Sequence, residues 1–208
     1  MPDKNYIAVI GYSGHSFVVL DAAKQMGLDI QYYCERKQSL YNPFEISYLG
    51  DEGSNSFDWD SVNEFVLGIG DNKIRQKVAD LVLSKKKTLL NIIHPKSILS
   101  DDATFGTGNF IGANVTVNAF AKIADNCILN TGCIIEHECI IEGGVHIAPG
   151  AVLAGNVSVG ENSFVGANSV VKQGINIGRG VTIGAGSVVI KDIPDNEIWA
   201  GNPSKKLK

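Results

Sequence analysis

The sequence predicts two architectures in series: a small Rossmann-like α/β domain over residues 1–92, then a parallel β-helix over residues 93–208 that ends in a short tail. Three observations carry this. Near the N-terminus a strand-like run ends in a glycine turn that opens a helical pattern. Large apolar residues recur at every sixth position from Leu99 to Val189. Glycine is unevenly spread, with 7 of 23 in residues 1–90 and the other 16 in residues 91–208, as expected if only the second part needs a permissive corner every few residues.

The first part alternates strand and helix. Tyr6-Ile7-Ala8-Val9-Ile10 is a short apolar run followed by Gly11-Tyr12-Ser13-Gly14-His15. Val18, Val19, Ala22, Ala23 and Met26 then recur at helical spacing until Gly27 stops them. Residues 30–34 read as a second strand closed by Glu35-Arg36, residues 64–70 as a later strand, and Asp71 opens a second helix. Residues 88–93 read as one further strand. Such alternation gives a small parallel sheet. The turn over residues 11–14 aims backbone N–H groups of a helix N-terminus at whatever binds there, a place for phosphate. Its spacing is not the dinucleotide GxGxxG, and roughly 80 residues make half of a Rossmann unit, suited to a mononucleotide portion. Glu35, closing the second strand, is placed for ribose or base donors.

In the second part, sixteen consecutive sixth residues, from Leu99 through Ile135 and Ile147 to Val189, are all large and apolar. Chance gives about 10⁻⁵ for one such register at this composition. Four positions later the residues are small or β-branched, Cys127, Cys133, Cys139 and Ala151 among them, with Asn109 the exception. A period of six fits neither a helix nor a flat strand. It fits a chain wound round a triangular prism, one short strand per face and about 18 residues per coil. The three cysteines, six apart and inward, read as packing; their spacing suits neither zinc nor a disulfide framework. Cys34 reads as packing too.

Composition narrows the function. Lys plus Arg is 18 and Asp plus Glu is 22, a formal charge of −4, which gives no basic footprint for nucleic acid. No apolar run reaches the roughly 18–20 residues of a membrane span, and the N-terminus lacks the form of a signal peptide. A cytoplasmic protein is expected. Because the prism interior is filled by apolar packing, chemistry must use outward positions. The notable outward group is Glu136-His137-Glu138: an imidazole flanked by carboxylates makes a general base. Spacing leaves open which acid is the partner, and a solvated surface histidine is the plain alternative. His146, next to inward Ile147, is a second outward histidine; His94 beside Pro95 reads as structural. Two outward histidines are too few for a three-histidine zinc site, so no metal is expected.

The GYSGH opening, the GIGDNKIR segment at residues 68–75, the EHE group inside an unbroken hexad register and the closing Gly201-Asn202-Pro203-Ser204-Lys205 together resemble the NeuD/PglD-like sugar O- and N-acetyltransferases. The likeness spans nearly the whole chain and is closest to the bacterial enzymes that acetylate a nucleotide-linked 4-amino-4,6-dideoxy sugar. The resemblance implies a left-handed β-helix, acetyl-CoA as donor, and a homotrimer with active sites between subunits. It implies His137 as general base with Glu138 raising its basicity, His146 at the acetyl thioester, and backbone near Ala167 and Ala185 along the pantetheine. Ser13, Gly14, His15, Glu35, Arg36, Gly70 and Asp71 would hold the nucleotide-sugar. Where a relative carries two acids after its second strand, this chain has Glu35-Arg36. Two other readings stand beside this one: an O-acetyltransferase acting on sialic acid or a related sugar, which the same base would serve, and a nucleotide-sugar-binding scaffold without catalysis.

Overall fold

The computed structural model describes residues 6–207. Strands β1 (Ile7–Ile10), β2 (Tyr32–Cys34), β3 (Ser47–Gly50), β4 (Glu64–Leu67) and β5 (Thr88–Leu89) form one parallel sheet in the order β3-β2-β1-β4-β5. Helix α1 (Gly14–Gln25) links β1 to β2, and α2 (Asn72–Ser84) links β4 to β5. The strand order reverses between β1 and β4, so a crevice opens beyond their C-terminal ends. Gly11 turns the chain there at φ +88°, with Gly68 of the neighbouring loop pressed against Ser16 so closely that a Cβ would sit 2.5 Å from the serine's own.

Two expectations need correction. β3 was not foreseen; it is a short edge strand, exposed or half-exposed along its length, with no apolar alternation to reveal it. The single strand expected over residues 88–93 is two. β5 ends at Leu89, and β6 (Ile92–Ile93) belongs to the β-helix, pairing with Phe110–Ile111. Asn91 breaks the run: its side chain donates to Gly106 O and accepts from Asn109 N, turning the chain from sheet to prism.

From β6 onward the chain is a left-handed parallel β-helix. Two-residue strands recur every six residues without interruption to Val188–Val189. The first face carries β6, Phe110–Ile111, Ile128–Leu129, His146–Ile147, Phe164–Val165, Thr182–Ile183 and the tail strands Ile198–Ala200 and Lys205–Lys206. The second runs from Ile98–Leu99 to Val188–Val189, the third from Thr104–Phe105 to Asn176–Ile177. The foreseen apolar column fills the prism, with Ile111, Leu129, Ile135, Ile147, Leu153 and Val165 fully buried. Cys127, Cys133 and Cys139 lie buried beside it as free thiols, and Cys34 is buried in the α/β sheet. Asn109 fits for a reason its class does not suggest: its Oδ1 accepts the Cys127 N–H at 2.7 Å, as Ser163 Oγ accepts that of Val181 one face-repeat further on.

The α/β unit sits on the first face, where Ile92, Phe110 and Ile128 share a core with Ile7, Val9, Val19 and Tyr33. Arg75 of α2 fastens the two. It is 1% exposed, and its guanidinium donates to the carbonyls of Asn126 and Gly144 on the prism, of Ile69 and Gly70 in the β4–α2 loop, and to Asn72 Oδ1. Asn72 Nδ2 in turn donates to the carbonyls of Asn162 and Ser163. Burial lowers the Arg75 pKa to about 10, and carbonyl dipoles rather than a carboxylate hold the charge. Arg75→Met would strand those carbonyls out of water, and is expected to cost about 3 kcal/mol or more in chemical denaturation. An unchanged midpoint would show that the α/β unit is held by its apolar contacts alone.

Candidate active site

His137 stands at the corner between the second and third faces, in the turn that follows Ile134–Ile135, and its side chain is exposed. Its Nδ1 lies 3.2 Å from Glu138 Oε2. A carboxylate only accepts, so Nδ1 carries the proton and Nε2 is left bare. Glu136 is engaged elsewhere: its Oε2 accepts from Asn118 Nδ2 on the preceding coil at 2.9 Å. The geometry thereby selects Glu138 as the partner. Glu138 reaches this place by adopting φ +60°. The same column holds Phe120 at +63° on the preceding coil and Asn156 at +55° and Gly174 at +73° on the following ones; the corner itself imposes the left-handed region, which asparagine and glycine tolerate best. A glutamate there, like the phenylalanine of the preceding coil, costs roughly 1 kcal/mol relative to glycine.

His146 is outward, as expected from the period, but it is covered by the α/β unit. Its ring centroid is 6.3 Å from that of His15 and 5.0 Å from that of Phe164; His15 packs edge-on to Phe110 at 5.4 Å. Asn130 Oδ1 accepts from Thr131 N, which fixes the amide and turns its Nδ2 toward His146 Nε2 at 3.2 Å. Nε2 is therefore the acceptor and Nδ1 carries the N–H, and the backbone of Gly70 opposes part of the fall in basicity. Burial first, then Arg75, lowers the His146 pKa to about 3 and the His15 pKa to about 4. Both rings are neutral near pH 7. His15 Nε2 is buried and has no hydrogen-bond partner.

At the sheet's C-terminal edge Gly11, Ser13, Glu35, Arg36, Gly70, Asp51 and Glu52 are among the residues lining a cavity of about 540 Å³. Glu35 is held there by the backbone N–H groups of Tyr12 and Arg36. A Cβ on Gly14, the first residue of α1, would meet nothing within 4 Å, and its φ lies outside the left-handed region. The fold does not demand glycine there. Asp71 does not line the cavity; its Oδ1 caps α2 by accepting from Ile74 N. His15 turns away to His146. Along the corner between first and second faces, Pro149, Ala167 and Ala185 stack one per coil, tied by Asn168 N to Pro149 O and Gly186 N to Ala167 O.

The structure thus brings the expected residues together in three groups rather than one: His137–Glu138, the cavity with Ser13, Glu35, Arg36 and Gly70, and the stacked alanine corner, with His15–His146 at the joint of the two units. Sequence reasoning missed Arg75, Asn130 and Glu52. Arg75 had a signal, since it interrupts the inward series Val78, Ala79, Val82 on α2 at helical spacing. Glu52, whose Oε2 is buried and unpartnered and whose pKa is raised by burial, follows the unforeseen edge strand and had none.

Two outcomes follow from this geometry. Glu138→Asn relieves the backbone and removes the carboxylate from Nδ1. We expect thermal stability to rise slightly while kcat falls about tenfold; a loss of stability would mean that the φ of Glu138 carries no strain. The histidine pair makes stability pH-dependent. Both folded pKa values lie below the unfolded value of about 6.5, so the unfolded chain takes up protons first and stability falls as pH drops from 6.5 toward 4. His146→Phe is expected to reduce proton uptake on unfolding at pH 5 by about one proton, measured as the slope of unfolding free energy against pH. An unchanged slope would place His146 in contact with water.

Residues 6–82 match the family described as the PglD N-terminal domain, and residues 156–191 the hexapeptide repeat of succinyl-transferase. Among solved structures, the acetyltransferase domain of PglB from Neisseria gonorrhoeae is 32% identical over 98% of this chain and 100% of its own, with a TM-score of 0.91. PerB from Caulobacter crescentus, determined with CoA and GDP-perosamine, is 30% identical over 99% of this chain and 98% of its own, also at 0.91. WeeI from Acinetobacter baumannii, at 21% identity and a TM-score of 0.87, shares the fold. With a PglD-type α/β unit seated on a hexapeptide β-helix and this likeness end to end, the chain belongs to the PglD-like sugar acetyltransferases of the hexapeptide-repeat class.

Proposed function

We propose that this chain transfers the acetyl group of acetyl-CoA to the amino group of a nucleotide-linked 4-amino-4,6-dideoxy sugar, with His137 as general base. The observation that carries the role of His137 is its hydrogen bond to Glu138: with Nδ1 committed, Nε2 of the exposed ring is left as a proton acceptor. The amine must be neutral to attack the thioester carbonyl, and Nε2 takes its proton as the C–N bond forms and CoA thiolate leaves. No acetyl-enzyme is required. The four cysteines are buried, and burial raises the pKa of each thiol, to about 12 for Cys127 and Cys133. None is a ready nucleophile. His146 Nε2 accepts from Asn130, so an oxyanion would be held by backbone N–H groups or by the Nδ1–H of His146. The PerB complex with CoA and GDP-perosamine supports both substrate classes. The cavity beyond β1 and β4, with the open backbone at Gly14, is where the nucleotide would lie. Free thiols suit a reducing compartment, and among the described residues no helix is long and apolar enough to cross a membrane; we place the reaction in the cytoplasm.

The assembly we infer is a homotrimer. The outward residues of the second face form an apolar row, Ile98, Thr116, Ile134, Val152, Val170 and Val188, with Ile98 67% and Val170 42% exposed. The third face instead presents Thr104, Lys122, Ser158 and Asn176 around one isoleucine. Turning the apolar face toward a three-fold axis puts one corner of each prism against the opposite corner of its neighbour. His137 of one subunit then meets the Ala167 and Ala185 column of the next, where an extended pantetheine would run. His137→Ala is expected to lower kcat by about 10²–10⁴. Ala167→Trp should block the donor groove and raise KM for acetyl-CoA. Mixing these two chains through an unfolded state gives three-quarters mixed trimers, each with one intact interface, so at acetyl-CoA concentrations too low to serve the Ala167→Trp chain about a quarter of full activity should return. If mixing restores nothing, the site lies within one subunit; if His137→Ala stays active, His137 is not the base.

A further inference from the structure

The middle residue of each corner turn is free to vary. On the corner of His137 the successive coils carry Ala119, His137, Gly155 and Gln173; the other corners hold Asp125, Glu161 and Arg179, or Pro149, Ala167 and Ala185. The coil therefore has no general need of glycine at this position. Gly155 does not have a positive φ either, so its own backbone does not require it. Yet Gly155 is buried, and it is buried under the His137 ring. A Cβ at Gly155 would lie 2.4 Å from both Cε1 and Nε2 of His137 and 3.1 Å from Cδ2. The two backbones cannot part to make room: Asn156 N donates to His137 O at 2.8 Å, and Gly174 N to Gly155 O at 3.0 Å.

We propose that Gly155 is a positioning residue for the base: its bare backbone is the floor on which the imidazole rests, so that Glu138 holds Nδ1 from the side while Nε2 keeps its direction. The proposal builds on the reading of His137 as general base. A methyl group at Gly155 would lift the one atom that takes the proton and swing the ring off Glu138. It would do so at little cost to the fold, because what must move is the exposed tip of a side chain rather than backbone.

The test is a double-mutant cycle in kinetics and stability. Gly155→Ala is expected to lower kcat by about 10- to 100-fold, as misplacing a reacting group by about 1 Å does, with KM for acetyl-CoA and for the amino sugar changed less than about threefold. In the His137→Ala background, where no ring remains to be lifted, Gly155→Ala should slow the reaction no further, and any loss of melting temperature seen in the single variant should vanish. Gly143→Ala serves as the control, because it is the same hexad position on another corner, where a Cβ meets only Asp125 O at an ordinary 3.7 Å; its kcat should stay at the wild-type level. Full kcat in Gly155→Ala would overturn the proposal while leaving the base assignment in place. Equal slowing in both backgrounds would also overturn it, since the methyl would then be acting on substrate or coil. Full activity in His137→Ala would overturn the base assignment and the proposal with it.

Discussion

The constraint on which the rest of this structure depends is the coil-to-coil ladder of the prism. Each residue lies directly over the one eighteen positions earlier, bonded to it strand by strand, as Ile134 over Thr116 and Val152 over Ile134. Parallel two-residue strands would be negligible alone. Stacked with closed apolar layers between them, they make a body in which no corner can shift without its neighbours. That rigidity lets chemistry be placed at corners. A histidine at one turn finds a glycine below it and an asparagine–glutamate pair beside it, because all three columns are held in register by the same ladder.

The α/β unit is attached to this body by a different kind of interaction. An apolar patch around Phe110 and Ile128 gives area, but Arg75 gives direction: five oxygens from two architectures converge on one guanidinium. A buried cation without a carboxylate is costly, and carbonyl dipoles offset that cost only when all are in place. The same positive charge, added to burial, keeps His15 and His146 neutral. The joint is thus polar, fully specified and sensitive to acid, while the prism beneath it is apolar and indifferent to pH.

Much of the architecture was legible because a period of six has one physical solution. Once Leu99 through Val189 were in register, the inward cysteines, the outward histidines and the corner at His137 all followed. What did not follow were features that depend on backbone angle or on a partner from elsewhere in the chain. Whether Glu136 or Glu138 faces Nδ1 turns on Asn118 of the preceding coil, which claims Glu136. That His146 is outward could be read; that His15 packs over it and Asn130 claims its Nε2 could not, because His15 comes from the other architecture. β3 was invisible because an edge strand with neither face fully buried has no alternation to show. Residues 88–93 looked like one strand because isoleucine and leucine suit a sheet and a prism equally, and only the Asn91 side chain marks the change. For the site, Ser13, Glu35, Arg36 and Gly70 of the cavity and the His137–Glu138 pair were named in advance, but Glu52 and the separation into groups on different corners were not.

Strain and absence meet at the His137 corner in a way that separates function from folding. Asparagine or glycine would meet the corner's left-handed φ with less strain where Glu138 stands, and the coil carries alanine, histidine or glutamine in the column of Gly155. This chain takes a glutamate into the left-handed region and leaves bare the position where neighbouring coils carry a side chain. Neither choice improves packing, since both residues lie outside the prism. Both choices bear on the imidazole between them: Glu138 meets Nδ1, and the bare Gly155 leaves the ring its place. Local departures of this kind persist when something other than stability maintains them, and here both departures act on the same ring. The backbone of the prism supplies the fixed frame, and the two irregular residues set where, within that frame, one nitrogen points.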